Sequence, residues 1–211
     1  MTSIKICGLR TPEDARAVNA ASPEMAGFIF DPSRRRYIDP GRAGEIRKAL
    51  LPGIVPVGVF VNASPEEVLD AVRRSGVEAV QLHGSESPEY ILRLRERLQQ
   101  AFPCREIRII RAFRAECADD FVSAGECPAD LILLDHGAGG TGERISWQGL
   151  EKQLRTLRRP FLLAGGLNEA NVQGAIRLLH PFGVDVSSGV ETDGKKDPVK
   201  IRRFVSAVRN A

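Results

Sequence analysis

The chain has 211 residues, 43% of them hydrophobic and 27% charged, with a formal net charge of only +3. This is the composition of a globular protein able to build one sizeable core. Its scattered basic residues, with one Trp and two Tyr, argue against a nucleic-acid surface and point instead to a small anionic ligand.

Short apolar segments alternate with longer amphipathic ones along the whole chain. A strand is expected over Ile4–Cys7, and Pro12-Glu13-Asp14 then reads as a first helical turn, with an early proline and acids favoured by the helix dipole. The next strand, Ala26–Phe30, runs into Arg34-Arg35-Arg36. After a strand at Val55–Val61 comes Ser64-Pro65-Glu66-Glu67, with an N-cap serine, proline at N1 and glutamate at N3. Ser87-Pro88-Glu89 repeats the first half of that signal after the strand Ala79–His83. Strands at Ile107–Ala112, Leu131–Asp135, Phe161–Ala164 and Val184–Ser187 complete the set. Eight strand–helix units of about 26 residues each predict an α/β fold: a single (β/α)8 TIM barrel forming one catalytic domain over residues 1–211.

Period-two alternation assigns the faces. Ile4 and Ile6, Val80 and Leu82, and Val184 and Val186 should meet the helices. Lys5 and Cys7, Gln81 and His83, and Asp185 and Ser187 should point into the barrel. Leu131, Leu133 and Asp135 share one face, with Asp135 last. Lys5 and Asp185 lie on strands one and eight, which become neighbours on closure, so a buried structural ion pair satisfies both charges.

Polar groups near the carboxyl ends of barrel strands are where such folds place chemistry. Leu163-Ala164-Gly165-Gly166-Leu167 and Val186-Ser187-Ser188-Gly189-Val190-Glu191 follow strands seven and eight. Glycine lets backbone N–H groups approach an anion closely, and the two loops mark a phosphate site, with tight turns as the plainer alternative. Cys7 ends strand one facing inward, where a thiol of lowered pKa removes a carbon-bound proton; a small buried hydrophobe is the alternative. Asp135 ends an apolar strand, where desolvation can keep a carboxyl protonated as a general acid requires, or it is a loop or cap aspartate. The following Gly137–Gly142 is a candidate lid or second anion loop and no Walker loop. Arg34-Arg35-Arg36 is either a solvated face or the source of a guanidinium that forks onto a carboxylate.

The four cysteines (Cys7, Cys104, Cys117 and Cys127) and three histidines (His83, His136 and His180) show neither disulfide-scaffold nor zinc-ligand spacing, so no metal is expected. No apolar run approaches a membrane span. The N-terminal Met1–Cys7 lacks the pattern of a secretory signal, so a cytoplasmic location without membrane partners is expected.

Several ordered segments resemble the phosphoribosylanthranilate isomerase family of tryptophan biosynthesis. They are Lys5–Leu9, Gly27–Phe30, Val57–Asn62, Val80–Gly84, Leu133–Asp135, Gly139–Gly142, Ala164–Asn168 and Gly183–Glu191. The resemblance runs from residue 4 to about residue 204 and implies an Amadori rearrangement, with no metal or organic cofactor, of N-(5′-phosphoribosyl)anthranilate to 1-(2-carboxyphenylamino)-1-deoxyribulose 5-phosphate. It implies Asp135 as the acid that opens the furanose ring and Cys7 as the base that takes the C2′ proton. Arg36, which precedes Tyr37, would hold the anthranilate carboxylate. Amides around Gly165, Gly166, Ser188 and Gly189 would hold the phosphate, and the inward His83 and Asp185 join the substrate-binding set. The implied assembly is a monomer or homodimer.

The sequence departs from the family pattern in three places. Arg35 stands where a proline is usual, leaving Arg34 as a competitor of Arg36. His136 follows Asp135 directly, and Arg144-Ile145-Ser146-Trp147 replaces the usual approach to the tryptophan. Among related barrels, the histidine-pathway isomerase pairs aspartates at the ends of strands one and five, where this chain has Cys7 and Ala112-Phe113. Indoleglycerol-phosphate synthase requires a lysine-rich rim, and Lys5 alone fits. A barrel that merely binds a phosphorylated ligand would not need both Cys7 and Asp135.

Overall fold

The computed structural model describes residues 1–115, 118–135, 151, 152, 154, 157 and 159–211. Eight parallel strands hydrogen-bond in chain order: β1 Ser3–Cys7, β2 Met25–Ile29, β3 Val55–Phe60, β4 Ala79–Leu82, β5 Arg108–Arg114, β6 Leu131–Asp135, β7 Phe161–Ala164 and β8 Gly183–Val186. Pairing of Ser3 with Gly183 through Ile6 with Val186 closes the barrel between β1 and β8. The helices among the described residues are α1 Pro12–Ala21, α2 Pro40–Arg47, α3 Pro65–Ser75, α4 Pro88–Ala101, α5 Ala118–Glu126, α6 Val172–Leu179 and α7 Pro198–Arg209. None is long and apolar enough to cross a membrane.

The helices begin where local chemistry dictates. Proline opens α1, α2, α3, α4 and α7, where its missing N–H costs nothing. Thr11 with Asp14, and Ser64 with Glu67, close capping boxes that satisfy otherwise orphaned N–H groups, each worth roughly 1 kcal/mol. Fixed helix starts fix the lengths of the βα loops, and these loops carry the site.

Two apolar layers follow from the alternation. Ile4, Ile6, Val80, Leu82, Ile132, Leu134, Val184 and Val186 pack outward with helix residues such as Val68, Leu94, Ile201 and Phe204. Met25, Val57, Ala79, Ile110, Ala112, Leu133, Leu162 and Ala164 fill the barrel itself. The inner layer places Asp135, two residues beyond Leu133, at the mouth.

The structure departs from the expected elements at two points. β5 runs two residues past Ala112, because β6 continues to pair with it through Arg114 and Asp135. After β8 the chain makes a single 3-10 turn over Ser188–Val190. It then forms an antiparallel hairpin, β9 Glu191–Thr192 with β10 Lys195–Lys196, which the short segments did not announce. The candidate lid Gly137–Gly142, His136, Cys117 and Arg144–Trp147 lie outside the described residues.

Candidate active site

Cys7 ends β1 on the inner face and is only 6% exposed. Its register partner on β2 is Gly27, and a Cβ there would lie 2.7 Å from the Cys7 Sγ. Glycine at this position is therefore what gives the thiol its room. Two residues earlier on the same face, the fully buried Lys5 donates from Nζ to Oδ1 of Asp185 at 3.0 Å. Burial pulls the Lys5 ammonium down, but Asp185 and Cys7 outweigh it and hold its pKa above the ordinary value. The predicted ion pair is thus present.

The thiol does not behave as the sequence reading required. Burial pushes Cys7 up; Lys5 pulls it back, Asp185 pushes it further, and Lys196 pulls it back again, with a net rise. The resting thiol is therefore protonated near neutrality. Removing water around sulfur outweighs the two ammonium groups, because a thiolate loses more by desolvation than the partly shared cations return.

Arg36 also differs from expectation. Its Nε donates to Oε1 of Glu191 at 2.6 Å and its Nη2 to Oε2 at 2.8 Å, so the forked edge is already on a carboxylate of the protein. Arg35 adds a bond to Oε2 at 3.1 Å, and Lys196 donates to Oε1 at 2.9 Å and to the Ser187 carbonyl at 2.9 Å. Burial alone would raise Glu191, but Arg36 and Lys196 pull it down to about 2. The fork of Arg36 is therefore already occupied by Glu191. The competitor Arg34 is paired with Asp31 at 3.1 Å and largely exposed. Glu191 itself was missed in the sequence, because its partner Arg36 lies 155 residues away.

Gly165 and Gly166 turn the chain after β7 with φ of 96° and 61°. The side chains of Asn168 and Asn171 hold the Gly166 carbonyl, at 3.4 and 3.0 Å. The loop after β8 abuts this turn so closely that a Cβ on Gly189 would sit 1.9 Å from the Leu167 carbonyl oxygen. Only glycine permits that approach. The N–H groups of Gly166, Ser188 and Gly189 donate to no carbonyl in the loop hydrogen bonds of the described residues. Together these donors suit an anion.

Across the mouth, Asp135 ends β6 with a third of its side chain exposed. His83 stands with Nε2 3.3 Å from Asp135 Oδ2 and Nδ1 2.9 Å from Nε2 of Gln81. The structure thus brings His83 and Asp135 together across the mouth. Its loop is pinned from outside the barrel. Glu86 accepts from the N–H groups of Asn62 and Gly84 at 2.8 and 2.9 Å, while the buried Arg111 donates to the Leu82 and Gly84 carbonyls at 3.1 and 2.9 Å. Neither Arg111 nor Glu86 was singled out in the sequence, since each looks like an ordinary charged residue beside a loop. A separate cavity of about 250 Å³ lies at the opposite end of the barrel, among Arg47, Leu51, Pro52 and Glu78.

Residues 4–207 match the family model described as N-(5′-phosphoribosyl)anthranilate (PRA) isomerase. The N-(5′-phosphoribosyl)anthranilate isomerase of Acetivibrio thermocellus is 45% identical, over 100% of this chain and 97% of the relative. A crystal structure of phosphoribosyl anthranilate isomerase in complex with reduced 1-(o-carboxyphenylamino)-1-deoxyribulose 5-phosphate superposes with a TM-score of 0.85 at 36% identity, covering 100% of both chains. Monomers generated from the dimeric Thermotoga maritima enzyme give the same TM-score, 0.85, and the same identity, 36%, again over 100% of both chains.

Proposed function

The chain belongs to the N-(5′-phosphoribosyl)anthranilate isomerase family, and from that premise we propose that Asp135 is its general acid and Cys7 its general base. The enzyme is an isomerase of tryptophan biosynthesis. It converts N-(5′-phosphoribosyl)anthranilate to 1-(2-carboxyphenylamino)-1-deoxyribulose 5-phosphate. One observation carries the assignment of roles: a thiol and a carboxyl end β1 and β6 at the same mouth, beside the two glycine loops that follow β7 and β8. The ends of β1 and β5 hold Cys7 and Phe113-Arg114 rather than two aspartates, which speaks against the histidine-pathway chemistry.

The phosphate is held by the amides of Gly165, Gly166, Ser188 and Gly189, and the anthranilate carboxylate by the outer end of Arg36. Asp135 gives its proton to the furanose ring oxygen as the C1′–O bond breaks, and the nitrogen lone pair forms a Schiff base. Cys7, as thiolate, removes the C2′ proton, and the electrons of that bond neutralise the iminium to give an enolamine. Tautomerisation yields the ketone. Lys5 and Lys196 supply the positive charge that makes the minority thiolate accessible, and Asp185 keeps Lys5 in place. The working unit is one catalytic domain over residues 1–211, cytoplasmic, as a monomer or homodimer, with a phosphorylated small molecule and no nucleic acid as partner.

The test is substrate fluorescence loss with freshly generated phosphoribosylanthranilate. Cys7→Ser and Asp135→Asn should each lower kcat by about 10²–10⁴, the usual contribution of a positioned acid or base. A variant that keeps wild-type turnover removes the role assigned to its residue.

A further inference from the structure

Gln81 lies on the inner face of β4, 1% exposed, and is the one described residue with a buried side-chain polar atom lacking a partner: its Oε1. The other end of the same amide, Nε2, stands 2.9 Å from Nδ1 of His83. The far nitrogen of that ring, Nε2, stands 3.3 Å from Oδ2 of Asp135. These three side chains form a line from the packed barrel interior to the mouth. An amide with partners at both ends would be locked in one orientation. This one has a partner at one end only, so half a turn about Cγ–Cδ exchanges which of its atoms meets His83 and leaves one unpaired in either case.

We propose that Gln81 is a positioning residue for proton delivery, whose amide orientation follows the nitrogen of His83 that bears the proton and so sets whether His83 donates to Asp135 or accepts from it. This rests on the reading of Asp135 as the acid. In the orientation seen, Gln81 Nε2–H donates to bare Nδ1, and His83 Nε2–H points at an Asp135 carboxylate. In the turned orientation, Nδ1–H donates to Oε1, and bare Nε2 accepts from the O–H of protonated Asp135. The second arrangement carries one more proton, on the carboxyl that must give it away. When Asp135 passes that proton to the ring oxygen, its carboxylate again needs a donor. His83, a third exposed, takes a proton from water at Nε2 and returns the Nδ1 proton to water, so the ring ends neutral, and the amide turns back; reloading Asp135 takes up one further proton from water. No net charge moves beyond the proton delivered to substrate. Arg114, paired in register with Asp135 on β5, is the charged neighbour from the adjoining strand, and Arg111 and Glu86 hold the loop behind His83.

The experiment joins kinetics to the ¹⁵N spectrum of histidine-labelled enzyme, with His83 assigned by its disappearance in His83→Asn. Wild type without substrate should show His83 protonated at Nε2. Gln81→Met, which removes both amide roles at similar volume, should leave a mixture of the two tautomers and lower kcat about tenfold with KM little changed, the scale of one neutral hydrogen bond. Gln81→Glu, which only accepts, should hold the proton on Nδ1. Unchanged tautomers in both variants, or wild-type kcat in both, overturn the proposal. If Gln81→Met fails to fold, the nearly isosteric Gln81→Glu decides by the same two readouts. A fully active Asp135→Asn would sink the acid assignment alone, because the tautomer shifts do not depend on which group protonates the substrate.

Discussion

On the β8–β1–β2 side of the barrel mouth, buried charges are tied to one another: Lys5 to Asp185, and Glu191 to Arg36 and Lys196, with the more exposed Arg35 adding a third cation. On the β4–β6 side, Gln81, His83 and Asp135 form a thin polar line with one atom unpaired and two of the three side chains about a third exposed. The first arrangement is rigid, because moving Lys5, Glu191 or Lys196 strands a charge in a place water barely reaches. The second is permissive, because its members are satisfied in more than one way. The two halves fit the two proton transfers assigned to them. Abstraction from carbon needs a sulfur aimed at one atom, whereas donation to oxygen needs a carboxyl that can be reloaded from solvent.

Three changes bear on that contrast, taken from the largest expected effect to the smallest. Gly27→Ala puts a methyl within the space of the Cys7 sulfur, so kcat should fall by about 10²-fold, the cost of displacing a reacting atom by an ångström. Stability should drop by roughly 1–3 kcal/mol from overpacking. Steady-state rates and a urea titration read both, and a fully active variant would mean that the base side tolerates movement.

Lys5→Met removes the nearer of the two cations and leaves Asp185 unpaired. The Cys7 thiol, already raised by burial, should then titrate at still higher pH, with kcat lower by about tenfold at neutrality for each unit of that rise. Thiolate absorbance near 240 nm, taken as a difference against Cys7→Ser, follows the titration. A thiol that moves down would show that burial of the sulfur, relieved by the change, and not the Lys5 charge, governs its titration.

Glu191→Gln loosens the hold on Arg36 and should raise KM by about tenfold while kcat changes little, since the lost contact serves binding in both ground and transition states. The same variant tests a pH window. Glu191 is depressed to about 2 from an ordinary 4.5, so its contribution is fully present above pH 4.5 and is lost as pH falls towards 2. That loss, up to ~3 kcal/mol, should appear in acid unfolding of wild type and be absent from Glu191→Gln. An equal acid response in both would show that the tie carries no linked stability.

Much of this architecture was legible before any coordinates. Strand alternation assigned Lys5, Cys7, Gln81, His83 and Asp185 to the interior and Ile4, Ile6, Val80 and Leu82 to the helices, because period two leaves only two faces. The capping signals at Ser64 and Ser87 marked true helix starts, since a cap is satisfied within four residues. The glycines after β7 and β8 marked loops that do come together. Local chemistry of this kind needs no knowledge of distant partners.

What remained hidden is everything that depends on which distant residues meet. Arg36 was read as a free fork, and its partner is 155 residues away. The pairing of His83 with Asp135 crosses from β4 to β6, over the strand between them. The sign of the Cys7 shift is a balance between burial and three charges that converge only after closure, and a sequence states the charges without the burial. The sequence alone thus determined the barrel, its inward faces and the residue types at its mouth. The tertiary structure alone decided which of those groups are already spent on one another and which remain for the substrate.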